Sequence, residues 1–88
     1  MRKIVRSNAF ERDVRKMAKR GKDLSKLFAI VESLAQDMPL AYRHKPHPLK
    51  GTWTPKWDCH IEPDWILIYE VTGDAVELAR TGTHSDLF

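Results

Sequence analysis

Apolar residues recur at helical spacing in the N-terminal half of the chain and alternate at strand spacing in the C-terminal half. Residues 2–6 form a short run containing the β-branched Ile4 and Val5, which stops at Ser7-Asn8. Either of these suits a helix N-cap, so a first strand handing over to a helix is predicted. Within residues 9–20, Phe10, Val14, Met17 and Ala18 fall at i, i+4, i+7 and i+8 on one helical face, while charged residues fill the others, and Gly21 ends the helix. Asp23 then caps a second helix whose stripe is Leu24, Leu27, Phe28, Val31, Leu34, Ala35 and Met38, stopped by Pro39.

The pattern lapses over residues 39–56, where four prolines, one glycine and two histidines follow no period. A long loop is predicted, pinned by Tyr42, Leu49 and Trp53; loops of this length in small domains are often functional. Trp57, Cys59 and Ile61 then alternate with Asp58, His60 and Glu62, giving a strand with one buried face and His60 on the polar one. Glu62-Pro63-Asp64 supplies a turn, and residues 65–71 form the strongest strand of the sequence, expected to be central. A hairpin turn at Thr72-Gly73-Asp74 leads to a last strand over residues 75–83, on which Val76 and Leu78 share a face with Arg80.

This order, a strand, a two-helix hairpin and a three-stranded antiparallel meander, predicts an α+β fold with both helices packed on one face of the sheet. With 88 residues the chain has room for one core, so residues 1–88 are expected to be a single domain. A hydrophobic share of 42% and a charged share of 31% exclude a disordered chain. The single cysteine, Cys59, excludes an internal disulfide and suits a reducing cytoplasm. No apolar run reaches the length of a signal peptide or membrane span, so a cytoplasmic protein with no membrane partner is expected.

Charge is divided unevenly. Residues 1–50 carry 13 Lys/Arg against 5 Asp/Glu, and residues 51–88 carry 2 against 7. A basic half suits a polyanion such as RNA; two helices with lysine-rich solvent faces would give the same count. Arg12, Arg15, Lys16, Lys19 and Arg20, on or at the end of the first helix, are the candidates for contacts with such a polyanion.

The second half holds residues fit for acid–base chemistry: His44, His47, His60, Asp64, Arg80 and His84. Cutting RNA without a metal needs a base for the 2′-hydroxyl, a cation for the phosphorane and an acid for the departing 5′-oxygen. Imidazole, with an unperturbed pKa of about 6.5, can take or give a proton, and arginine grips phosphate through paired hydrogen bonds. In a meander the end of the second strand lies beside the start of the third and the end of the fourth, so these side chains are placed to converge. The plainer readings are a solvated histidine and a turn-forming aspartate. Trp53, Trp57 and Trp65 suit core or loop anchors, with one ring free to stack on a nucleotide, whereas the last residue, Phe88, is harder to explain as core. Zinc bound by Cys59, His47, His60 and His84 matches no standard ligand spacing, and alternation puts Cys59 and His60 on opposite faces. Neither a metal nor another cofactor is expected.

Three stretches carry a resemblance: His47-Pro-Leu-Lys-Gly51, His60-Ile-Glu-Pro-Asp-Trp-Ile-Leu-Ile-Tyr69 and Arg80-Thr-Gly-Thr-His-Ser-Asp-Leu-Phe88. Together with the two-helix N-terminal half, the sequence resembles the YafQ-type toxins of the RelE/ParE superfamily along essentially its whole length. The resemblance implies a ribosome-dependent endoribonuclease of a type II toxin–antitoxin system, cutting messenger RNA in the ribosomal A site by 2′-hydroxyl attack. It carries catalytic roles to His47, His60, Asp64, Arg80 and His84 and substrate contacts to Trp65 and Phe88. His84 is the expected general acid, Asp64 or His60 the base, Arg80 the group on the scissile phosphate and His47 an orienting or charge-stabilising residue; acid and base can be exchanged. Implied partners are the ribosome, messenger RNA and a small acidic DinJ-like antitoxin, with operator DNA bound only by the toxin–antitoxin complex. The alternatives on the same fold are a ParE-like gyrase-binding toxin, which has no need of a histidine cluster, and a non-catalytic module that binds RNA or antitoxin.

Overall fold

A computed structural model describes residues 1–88. The elements are β1 (Lys3–Arg6), α1 (Asn8–Lys19), α2 (Leu24–Ala35), β2 (His47–Pro48), β3 (Trp57–Glu62), β4 (Trp65–Val71), β5 (Ala75–Gly82) and α3 (His84–Leu87). The five strands form one sheet in the order β1-β5-β4-β3-β2. β1 runs parallel to β5, and the other neighbours are antiparallel. The expected α+β architecture is present, with β4 at the centre of the sheet.

Local chemistry fixes the helix ends. Ser7 caps α1 through its hydroxyl, which accepts the Phe10 N–H, and Asp23 caps α2 by accepting the Ser25 N–H. Gly21, at φ 83°, closes α1 in a Schellman turn: its N–H donates to the Ala18 carbonyl and that of Lys22 to Met17. The second helix departs from expectation. It stops at Ala35 rather than at Pro39, because Asp37 takes the left-handed conformation (φ 57°) and the Met38 N–H donates back to the Ser33 carbonyl in the same kind of turn. Met38 therefore leaves the apolar stripe and is 56% exposed.

Both helices cover one face of the sheet. Phe10, Met17, Leu27, Ile30 and Val31 pack there against Cys59, Ile61, Trp65, Leu67, Tyr69, Val76 and Leu78. The opposite face has its own small cluster of Ile66, Ile68 and Leu87, with Leu49, Trp53 and Ala79 against it. Residues 65–69 of β4 are therefore buried from both sides, which explains their unbroken apolar run.

The segment from Pro39 to Lys56 is more ordered than its composition suggests. It forms two single-turn 3₁₀ helices, Tyr42–His44 and Gly51–Trp53, with β2 between them pairing His47 with Asp58 and Pro48 with Trp57. Leu49 and Trp53 anchor it as expected, whereas Tyr42 is 92% exposed and anchors nothing.

A register shift changes where β5 points. Tyr69 pairs with Leu78, yet its neighbour Ile68 pairs with Arg80, so Ala79 is an extra residue in a β-bulge. Arg80 therefore does not share the helix-covered face of Val76 and Leu78, as simple alternation predicts. It lies across from Ile68, on the opposite face.

The segregation of charge along the sequence is partly offset by folding. Lys22 and Lys26 both reach Glu62, and Lys16 and Arg20 both reach Asp86. Bases of the helical half thus meet acids of the sheet half.

Candidate functional site

On the sheet face away from the long helices, histidines and acids from β2, β3, the β3–β4 turn and α3 gather around the cluster of Ile66, Ile68 and Leu87. His60 is half-buried on β3, opposite Ile66, with its strand neighbours Cys59 and Ile61 turned to the helix-side core. The turn at Tyr42–His44 is tied to the same strand, since the His44 ring Nδ1 lies 2.6 Å from the His60 carbonyl oxygen.

His84 enters from the end of β5. Thr83 caps the short α3 and forms a capping box with Asp86, so the backbone is already turned when it reaches His84. One oxygen of Asp64 then accepts both the His84 backbone N–H, at 3.0 Å, and the Nδ1–H of its ring, at 2.8 Å. These two bonds, the backbone one first, hold the Asp64 carboxyl below the usual carboxylate range. Both side chains are more than half exposed. Solvent screens such a pair, so it fixes orientation more than it adds stability.

The His60 and His84 rings meet edge to face, with centroids 5.6 Å apart and planes at 82°. Beyond His84 lies the ring of Phe88 at 6.3 Å, which in turn sits 6.3 Å from Trp53. Phe88 is 59% exposed, leaving much of its ring open to a planar partner. A cleft of about 340 Å³ begins at His60 and is bordered by Arg43, Lys45 and Glu62.

His47 stands opposite Asp58, with its Nδ1 2.9 Å from the Asp58 carboxylate. The approach is close but not aligned as a hydrogen bond: Asp58 Oδ1 is buried without a hydrogen-bond partner, and Nδ1 also lies 3.2 Å from the Lys45 carbonyl. Burial raises the Asp58 carboxyl above its ordinary value, and His47, His60 and His84 act against that rise. Asp58 is thus a buried carboxyl lying close to the site's histidines. Its place on the polar side of the β3 alternation was visible in the sequence; its burial beneath the proline-rich loop was not.

Arg80 reaches round the outer edge of β5 to α1. Its Nε and Nη2 donate to the two oxygens of Asp13 at 2.6 and 3.2 Å, and Asp13 also accepts the Thr81 N–H at 3.1 Å. This edge is open because β1 ends at Arg6, which pairs with Leu78. Asp13 had no distinguishing signal in the sequence, where it is one polar residue of an amphipathic helix.

Two groups of expected contacts are altered by the fold. Trp65 is fully buried, and its indole N–H donates to the Thr81 hydroxyl at 2.9 Å, so it offers no face to a base. Of the basic residues on α1, Lys16 and Arg20 are engaged by Asp86, Arg20 through two bonds of 2.6 and 3.1 Å. Arg12, Arg15 and Lys19 are exposed. No three His, Cys, Asp or Glu side chains converge as metal ligands, and Cys59 lies in the helix-side core. No helix is long and apolar enough to cross a membrane.

Residues 2–88 match the family model described as the YafQ bacterial toxin of a type II toxin–antitoxin system. The mRNA interferase toxin YafQ of Escherichia coli K12 is 43% identical over 88 residues, covering 99% of this chain and 96% of that protein. Among solved structures, the toxin in the E. coli DinJ–YafQ complex superposes with a TM-score of 0.92 at 43% identity, covering 100% of this chain and 99% of that one. A copper-bound mutant toxin from Helicobacter pylori gives a TM-score of 0.94 at 39% identity, with both chains fully covered.

Proposed function

The chain belongs to the YafQ family of type II toxins, and from that premise we propose that it is a ribosome-dependent endoribonuclease that cleaves messenger RNA in the A site without a metal. One observation carries the reading: His84, oriented by Asp64 through Nδ1, faces the ring of His60 on an open surface. Two imidazoles so placed can handle two proton transfers, one to each side of a phosphate.

With Nδ1–H held by Asp64, the other ring nitrogen of His84 is left to protonate the departing 5′-oxygen. Asp64, with one oxygen occupied by both bonds to His84, serves as an orienting group, leaving His60 to take the 2′-hydroxyl proton. The 2′-oxygen then bonds to phosphorus as the P–O5′ bond breaks, giving a 2′,3′-cyclic phosphate and a 5′-hydroxyl. Arg80 grips the phosphate oxygens, His47 beside Asp58 orients the substrate or stabilises developing charge, and Phe88 stacks on a base. Arg12, Arg15 and Lys19 offer free cations for ribosomal RNA, and Lys16 and Arg20 lend the charge left by their pairing with Asp86.

These side chains supply acid, base and cation among themselves. No three His, Cys, Asp or Glu side chains converge as a ligand set, so no step is assigned to a metal. The natural inhibitor is a small acidic antitoxin, as DinJ is the partner of the E. coli toxin. The test is in vitro translation with purified protein, mapping the 5′ ends of the message with and without ribosomes and with a chelator. Cuts within codons that need ribosomes and survive chelation are expected. Cleavage abolished by chelator, or undiminished in both His60→Ala and His84→Ala, overturns the mechanism.

A further inference from the structure

The bond between Asp13 and Arg80 joins the site to the opposite side of the fold. Asp13 sits on α1 with its side chain 12% exposed, and it grips the Nε and Nη2 edge of a guanidinium that is 33% exposed. An arginine side chain normally samples many rotamers, and a two-point contact of this kind removes most of that freedom. Of the five guanidinium N–H donors, two are taken by Asp13. Both hydrogens of Nη1 and one of Nη2 remain, and the Nη1–Nη2 edge can donate to two phosphate oxygens side by side.

The backbone prepares this arrangement. The bulge at Ala79 turns Arg80 to the site face, while β1 ends at Arg6 and Ser7 makes the last contact along this edge of β5, its hydroxyl donating to the Ala79 carbonyl, so that no strand reaches the Thr81 N–H. Asp13 fills that vacancy by accepting the Thr81 N–H, so its own position is fixed by the strand that carries Arg80. We infer that Asp13 is a positioning residue for RNA cleavage: it holds Arg80 by one edge so that the other edge is presented, already oriented, to the scissile phosphate. This rests on the phosphate-binding role given to Arg80 above. A carboxylate beside the arginine lowers its net attraction for a polyanion, and fixed geometry in the transition state outweighs that loss.

The test is a double-mutant cycle read by single-turnover cleavage of ribosome-bound message, with the melting temperature of each protein measured alongside. Asp13→Ala is expected to lower the cleavage rate constant roughly ten- to a hundredfold, the scale of a misplaced catalytic group, with little change in the concentration giving half-maximal rate. Asp13→Asn, which keeps the shape and one acceptor, is expected to fall between Asp13→Ala and the parent and guards against a folding defect. In an Arg80→Ala background, Asp13→Ala is expected to add nothing, because its effect passes through the arginine. Equal or faster cleavage by a folded Asp13→Ala or Asp13→Asn protein overturns the inference, the faster result meaning that Asp13 restrains Arg80. Losses that multiply in the double variant also overturn it, placing the effect in the Thr81 contact instead. If Arg80→Ala itself cleaves normally, the role of Arg80 falls first; if Arg80→Ala is impaired and Asp13→Ala is not, only the positioning role falls.

Discussion

The Nδ1 atom of His84 lies 2.8 Å from the same Asp64 oxygen that accepts the His84 backbone N–H. One carboxylate therefore holds both the ring of His84 and the backbone that carries it. His84→Ala and His60→Ala are each expected to slow message cleavage by roughly 10²- to 10⁴-fold, the range for loss of a general acid or base. Asp64→Ala, which removes only the orienting group, is expected to cost about tenfold, and Asp64→Asn less because an oxygen acceptor remains. Rate constants for cleavage on programmed ribosomes rank these variants; a loss for Asp64→Ala as large as that for His84→Ala argues that Asp64 itself transfers the proton.

Trp65 and Phe88 should separate stability from activity. Replacing the fully buried Trp65 by Phe leaves a gap and removes the indole bond to Thr81. About 1–3 kcal/mol of destabilisation is expected from the cavity and the lost bond together. Phe88, more than half exposed, should tolerate Ala within about 0.5 kcal/mol while losing activity. Urea unfolding monitored by tryptophan fluorescence gives the first quantity and message cleavage the second; a large stability loss in Phe88→Ala places that ring in the core instead.

Much of this arrangement could be read from residue types and spacing, and the failures have identifiable physical causes. Alternation placed His60 away from the core because a sheet neighbour inverts direction at each step, which holds along β3 as far as His60, before the register shift that follows it. The same rule misplaced Arg80, because a bulge adds one residue without announcing itself in the sequence. Met38 left its helix for a comparable reason: its apolar character fitted the stripe, but the left-handed turn at Asp37 had already ended the repeat. Trp65 was legible as a core or loop anchor, as its full burial agrees, whereas the substrate contact carried over by resemblance finds no exposed ring face. The pairing of Asp13 with Arg80 spans 67 positions and follows from the fold alone.

Acid should loosen the junction between α1 and α3 before the core gives way. Arg20, through its bonds to Asp86, and the Thr83 N–H hold the Asp86 carboxyl far below the usual carboxylate range. The folded chain thus takes up this proton less readily than the unfolded chain does. The resulting stabilisation is complete above the unfolded value of about 3.9 and is lost as pH falls through the depressed folded value. Melting temperatures should therefore decline below about pH 4, and less steeply in Asp86→Asn. Parallel acid profiles for the two proteins would show that Asp86 is not a source of the decline.

Cys59 should be inert while the protein is folded. It is wholly buried, and burial pushes its thiol up to about 12, so little thiolate forms at neutral pH. Alkylation by iodoacetamide is expected to follow global unfolding, rising with urea in step with the fluorescence transition. Fast labelling in the absence of denaturant would reveal local opening of β3.

Asp58, Cys59 and His60 occupy consecutive positions on β3, yet Asp58 and His60 face the proposed chemistry while Cys59 points into the helix-side core. A nucleotide triplet lost from or gained in this part of the gene would do more harm than most exchanges of one residue for another. Sliding the strand by a single position would thrust an imidazole into the hydrocarbon interior and deliver a thiol to the RNA face. A change of length is accordingly expected to be far better tolerated in the proline-bearing segment that precedes β3 than within the strand itself.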